Sequence, residues 1–171
     1  TGETEYTWNK RVAEKLKQRL TASGMSEYVE VFLRNHTGIR GALEKAGEWG
    51  ADLSLELHFN ASGYSSARGS EVLVLHGDHE AEAYAKKLIL KVSDRFQTRP
   101  RHYGGVKRIT EKDRGYTNLH YAYDRGISYP LLIEPFFGDF KTEESVRFVE
   151  NQNGYVEVLF DFVSEFIQES I

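Results

Sequence analysis

The residues best suited to chemistry in this chain are one histidine and two carboxylates spread widely along it: Glu5, His58 and Glu134. A neutral imidazole and carboxylates are good zinc ligands, and a carboxylate left free of the metal can serve as a general base. His58 lies in residues 51–61 (ADLSLELHFNA), where Leu53, Leu55, Leu57 and Phe59 alternate with Ser54, Glu56, His58 and Asn60. That period of two describes a strand with one apolar face and one face free for chemistry. Glu134 ends a second apolar run, 129–135 (YPLLIEP), bracketed by Pro130 and Pro135 as strand boundaries often are. A carboxylate set between such bulky neighbours needs a partner. Glu5 sits just ahead of a helical pattern. On the residues alone, His58 could equally make nothing more than a hydrogen bond, and Glu5 could be a helix-entry carboxylate favoured by the macrodipole.

The elements that must position these groups follow from periodicity. Trp8, Val12, Leu16 and Leu20 recur every four residues and predict a first helix closing near Gly24. Residues 28–33 (YVEVFL) read as a strand and 39–49 as a short helix, followed by the strand that carries His58. After a Gly- and Ser-rich loop at 63–69, residues 70–76 (SEVLVLH) predict a strand and 79–96 a helix with Ala81, Ala85, Leu88, Val92 and Phe96 on one face. The chain ends on a helix from about Glu143 and a longer one over 155–167. Strands alternating with helices predict an α/β fold: a mostly parallel central sheet with helices on both faces. Ligands in such sheets bind beyond the carboxyl ends of the strands, which is where His58 and Glu134 fall.

Residues 97–118 interrupt the alternation and read as a functional loop. They hold Arg99, Arg101, Lys107, Arg108, Lys112 and Arg114 against Glu111 and Asp113, a basic segment in a chain of net charge −4. That net charge argues against a general nucleic-acid binder. With no cysteine among 171 residues there is neither a disulfide framework nor a thiolate site, so a metal would rest on His, Asp and Glu. No apolar run reaches the roughly 18 residues of a spanning helix. The length suits a single domain, expected over 1–171, and no repeat or linker divides it.

Three segments carry a resemblance. Residues 51–61 with Gly69-Ser-Glu-Val, the run Pro130-Leu-Leu-Ile-Glu-Pro-Phe-Phe137, and Glu5-Tyr-Thr-Trp-Asn9 resemble, in order and spacing, motifs of the zinc-dependent N-acetylmuramoyl-L-alanine amidases of the amidase_3 (AmiC/CwlV) type. Many of these are endolysins or autolysins. The resemblance implies that Glu5 and His58 ligate Zn2+ and that Glu134 is the catalytic base. Asn60, Lys107 and Arg108 are candidate substrate contacts, Arg108 through its two-pronged guanidinium, although a solvated loop face explains Lys107 and Arg108 nearly as well. It implies a monomeric peptidoglycan hydrolase that cuts the amide between N-acetylmuramic acid and L-alanine. Its place of work would be the periplasm or cell wall, or the lysing host of a phage.

The sequence departs from the family pattern at two points. A strand ending in a Gly-His-Gly-type turn, whose histidine is a zinc ligand, is absent, so a first strand and that histidine are expected ahead of Thr1. Glu56 stands where a small polar residue is usual, on the same face as His58; it could orient a ligand or bind metal itself, with an ion-paired or solvated role as the first expectation. His36, His76, His79 and His102 read as surface residues, while His120 could line the cleft. Two other functions fit the same residues: a non-catalytic relative that binds peptidoglycan or a protein partner, and a zinc carboxypeptidase acting on the stem peptide.

Overall fold

A computed structural model describes residues 3–32, 38–102 and 104–170. Helix α1 (Glu5–Ala22) begins where Thr4 accepts a hydrogen bond from the Thr7 N–H at 3.2 Å and Glu5 faces the positive end of the helix dipole. It buries Trp8, Val12, Leu16 and Leu20, the four residues of its apolar stripe. Helix α2 (Gly38–Trp49) leads into β1 (Leu53–Leu57), and β2 (Glu71–Leu75) into α3 (His79–Phe96). The side chain of Asp78 caps α3 by accepting from the Ala81 N–H at 2.9 Å. Then come β3 (Val106–Ile109), α4 (Tyr116–Asp124) and β4 (Tyr129–Glu134), and the chain closes with α5 (Glu143–Glu150) and α6 (Gln152–Ser170).

The sheet order is β1-β4-β2-β3. β1 runs parallel to β4 and β2 parallel to β3, while the β2–β4 ladder is antiparallel. The two inner strands, β4 and β2, are the ones whose sequences run nearly continuously apolar, because both of their faces are covered. Over one face, α1, α3, α5 and α6 enclose the main core around Val72, Val74, Leu131, Ile133, Trp8 and Phe148. Over the other lie α2 and α4, where Leu73, Leu132, Ile109 and Leu119 form a smaller cluster. β1 alternates: Leu53, Leu55 and Leu57 pack on the main core, which leaves Ser54, Glu56 and His58 on the α4 side.

The α/β architecture, the mostly parallel pairing and the helices on both faces agree with expectation. Two local readings do not. Residues 28–32 form no strand: Tyr28 closes a turn onto Met25, and the segment passes across the fold with Val29 packed on the main core and Phe32 on the α2–α4 cluster. Alternating apolar residues satisfy such a crossing as well as a ladder, and Leu33 lies outside the described residues. The basic segment 97–118 is no single loop, since it contains β3 and the start of α4. β3 is four residues long with Lys107 and Arg108 at its centre, a charged edge strand that carries almost no apolar signal.

Trp8 is fully buried against Phe59, Phe136 and Tyr155, with ring centroids 5.3–5.5 Å away. Trp8→Ala is expected to lower stability by about 3–5 kcal/mol. Urea unfolding monitored by circular dichroism checks this, and a loss under about 1 kcal/mol would contradict the central place given to this residue.

Candidate active site

The ladder between β1 and β4 brings the site together. Leu57 is paired with Ile133, and the His58 N–H donates to the Ile133 carbonyl at 3.0 Å, so His58 and Glu134 leave neighbouring strands side by side on the α4 face. Glu5 arrives from the first turn of α1. Its Oε1 accepts the Phe59 N–H at 2.8 Å and lies 2.9 Å from His58 Nδ1. One turn later, Asn9 Nδ2 donates to the Leu57 carbonyl at 2.8 Å. The start of α1 is thus bound to the end of β1 at two points, with Trp8 buried between them. Behind the imidazole, Glu56 Oε2 lies 3.4 Å from His58 Nε2 and accepts from Asn118 Nδ2 of α4 at 3.3 Å.

Glu71 belongs to this site, and reading the sequence did not single it out as a site residue. The antiparallel β2–β4 ladder sets it directly opposite Glu134, and its side chain is 3% exposed. It accepts hydrogen bonds from Asn60 Nδ2 and, at 2.7 Å, from His102 Nε2, and Arg101 Nε stands 3.6 Å away. Asn60 is therefore engaged inside the fold. Its side chain also accepts from the Ala61 N–H, and its backbone bridges to Phe136 and Gly138. Asn60, expected as a substrate contact, is placed by the structure as a buried donor to Glu71. His102, expected at the surface, is exposed there and is also the second group that holds Glu71. The only sign of Glu71 in the sequence was its place two residues after Gly69 at the start of an apolar run.

These surroundings displace the proton equilibria. Burial favours the neutral form of Glu134, and the facing Glu71 charge adds to it, so the Glu134 carboxyl is pushed up to about 7 despite His58, Lys107 and Arg114 nearby. Burial opposes the charged form of His58, yet its hydrogen bonds to Glu5 and Glu56, with their charges, raise it to about 9. For Glu5 burial pushes upward, and the hydrogen bonds from His58 and the Phe59 N–H outweigh it, leaving the carboxyl below its ordinary value.

Lys107 and Arg108 part company. Lys107 shares the α4 face with Ile109, and its charge reaches Glu134. Arg108 points to the opposite face and forms a two-pronged ion pair with Glu82 of α3, Nε to Oε1 at 2.5 Å and Nη2 to Oε2 at 2.6 Å. The expected substrate contact at Arg108 is thus not brought to the site, because strand alternation turns adjacent residues to opposite faces. His120 pairs with Asp124 at 3.1 Å and lines an open groove with His76 and His79 at the carboxyl ends of β2 and β3, the far end of the sheet from Glu134. His36 lies outside the described residues.

Zinc fits the Glu5–His58 pair in donor type, one imidazole nitrogen and one carboxylate oxygen. Two ligand atoms held at ~2.0–2.1 Å in a tetrahedron are roughly 3.3 Å apart, so the observed 2.9 Å needs only a slight opening. Among the described residues no group of three His, Cys, Asp or Glu side chains is arranged to hold a metal by itself.

The model of the family described as N-acetylmuramoyl-L-alanine amidase matches residues 1–147. The chain belongs to this family. Among solved structures it is similar to the catalytic domain of CwlV, an N-acetylmuramoyl-L-alanine amidase from Bacillus (Paenibacillus) polymyxa var. colistinus, with a TM-score of 0.75 and 19% identity over 98% of this chain and 87% of that one. The catalytic domain of CD27L, an endolysin targeting Clostridia difficile, matches with a TM-score of 0.70 and 25% identity over 94% of this chain and 83% of that one. An N-acetylmuramoyl-L-alanine amidase from Clostridium difficile 630 matches with a TM-score of 0.74 and 16% identity over 98% and 86% of the two chains. No curated protein matches the sequence.

The Glu82–Arg108 pair gives a test of where Arg108 acts. The hydrogen bonds from Arg108 hold the Glu82 carboxyl below its ordinary 4.5. A lowered folded-state value means that the stability it contributes is present above about 4.5 and lost as pH falls through the folded value. Arg108→Ala is therefore expected to lower the melting temperature at neutral pH, and its gap from the unsubstituted protein should close on acidification. Cell-wall hydrolysis per folded molecule should stay unchanged; a large rise in KM for cell walls would return Arg108 to the substrate.

Proposed function

We propose that this amidase is a zinc-dependent peptidoglycan hydrolase, cutting the amide that joins the lactyl group of N-acetylmuramic acid to L-alanine of the stem peptide. The observation that carries the reading is the convergence of Glu5 and His58 at 2.9 Å beside Glu134, at the open carboxyl ends of two paired strands. Glu5 and His58 would hold the zinc together with a further protein ligand. When bound, zinc supplies a Lewis acid for the amide carbonyl and makes a nearby water more acidic.

The chain's own residues do the rest. Glu134, ionised, accepts a proton on a carboxylate oxygen from the water that attacks the carbonyl carbon. It returns that proton to the amine nitrogen as the C–N bond breaks, giving a muramic carboxyl group and a stem peptide with a free L-alanine amine. Its raised proton affinity suits both halves of this transfer near neutral pH. Lys107 supplies a cation on the same face for the carboxylates of the stem peptide. Asn60, His102 and Arg101 keep Glu71 in place beneath Glu134.

The proposed substrate lies in the bacterial cell wall, so the proposed place of work is outside the cytoplasm or in a host lysed from within; a monomer is the proposed working form. Among the described residues no helix is long and apolar enough to cross a membrane.

Glu134→Gln is expected to lower hydrolysis of purified cell walls by roughly 100- to 10,000-fold with zinc content unaltered. Activity equal to that of the unsubstituted protein would remove Glu134 from the reaction. Chelation should abolish lysis and zinc should restore it. Mass spectrometry of the digest decides the bond: intact stem peptides starting at L-alanine support the amidase, whereas release of the carboxy-terminal amino acid alone would mean a carboxypeptidase.

A further inference from the structure

Glu56 has a place in the site that the proposed reaction does not use. It stands two residues before His58 on the same face of β1, and its side chain is 10% exposed. One carboxylate oxygen, Oε2, lies 3.4 Å from His58 Nε2 and 3.3 Å from Asn118 Nδ2. The other, Oε1, is buried with no hydrogen-bond partner. Holding such an oxygen away from water costs free energy, which a leucine or serine of β1 would not incur. What the carboxylate adds is a strong acceptor fixed behind the imidazole.

The two ring nitrogens of His58 face different worlds. Nδ1 meets Glu5, whose side chain is 44% exposed at the open end of the strands, while Nε2 points back toward the enclosed Glu56. An imidazole can offer only one nitrogen to a metal, and the other must then carry the proton and find an acceptor. Here the open side allows only Nδ1 to meet a metal shared with Glu5, and the acceptor for Nε2–H is already in position.

We propose that Glu56 is a positioning residue: it accepts the Nε2–H of His58, and with Asn118 steadying it from α4, it holds the imidazole with Nδ1 turned toward Glu5 for zinc. This rests on the zinc reading of the site given above. The present 3.4 Å separation is at the long end of a hydrogen bond and is expected to shorten when Nδ1 is engaged.

The test uses the full-length protein, unsubstituted and with Glu56→Ala or Glu56→Gln. Zinc affinity is measured by competition with a chromophoric chelator, the His58 ring protons by nitrogen-15 imidazole NMR of the zinc-loaded protein, and stability by melting of the metal-free protein. Glu56→Ala should weaken zinc binding by roughly 10- to 100-fold. Glu56→Gln, which keeps an acceptor oxygen, should recover part of that loss. The unsubstituted protein should show a slowly exchanging Nε2–H that Glu56→Ala loses, without any matching fall in the metal-free melting temperature. Unchanged affinity in Glu56→Ala overturns the inference alone. So does complete loss of zinc stoichiometry in both variants, which would make Glu56 a ligand. If the unsubstituted protein itself takes up no zinc, the zinc reading of the site fails and this inference falls with it.

Discussion

The joint between the first turn of α1 and the end of β1 is what the rest of the site depends on. A strand end is normally free to splay. Here Glu5 ties down the Phe59 N–H, Asn9 ties down the Leu57 carbonyl, and Trp8 fills the space beneath with Phe59 and Phe136. The same carboxylate that fixes the backbone also faces the imidazole. One residue thus couples the fold to the chemistry, and the helix packing that orients α1 on α6 also orients a proposed metal ligand. Preorganised groups of this kind act without reorganising when a substrate arrives.

The second constraint comes from sheet topology. Reversing β2 against β4 places Glu71 opposite Glu134, and like charges directly across a ladder are unfavourable. The structure resolves the conflict unequally. Glu71 receives donors from Asn60 and His102 and has Arg101 close by, so its charge is well supported. Glu134 is left partly buried beside it and takes the cost as a raised proton affinity. A parallel insertion of β2 would have put different residues beside Glu134. The direction of one inner strand therefore sets the character of the proposed base.

Much of this was legible in the sequence, and the remainder has identifiable physical reasons for being hidden. Residues 51–61 declared β1 and its polar face because a period of two survives on a half-covered strand. The stripe of Trp8, Val12, Leu16 and Leu20 declared α1, and the apolar run before Glu134 declared an inner strand. Glu71 was hidden because only the pairing of β2 with β4, a contact between distant segments, gives it meaning. His102 was hidden for the same reason, its partner being Glu71. β3 escaped because an edge strand with Lys107 and Arg108 at its centre resembles a loop, and those two adjacent residues point to opposite faces once the strand is known. Residues 28–32 misled in the other direction, since apolar alternation there serves packing without pairing.

The rim of the site is held by the same two strands that hold its centre. Beyond β1 and β4 the chains stay together: Asn60 bridges to Phe137, and the Gly138 N–H donates to the Asn60 carbonyl at 2.9 Å. Asp139 then accepts the N–H groups of Ser62 and Gly63 at 2.9 and 2.8 Å. Gly138 lies so close to Phe59 that a Cβ there would stand 2.3 Å from the ring, so only glycine lets the two exits run this near each other. The consequence is mechanical. His58 and Glu134 cannot separate without breaking the ladder below them or the clasp above them, so their spacing is a property of the fold and does not depend on either loop closing over a substrate.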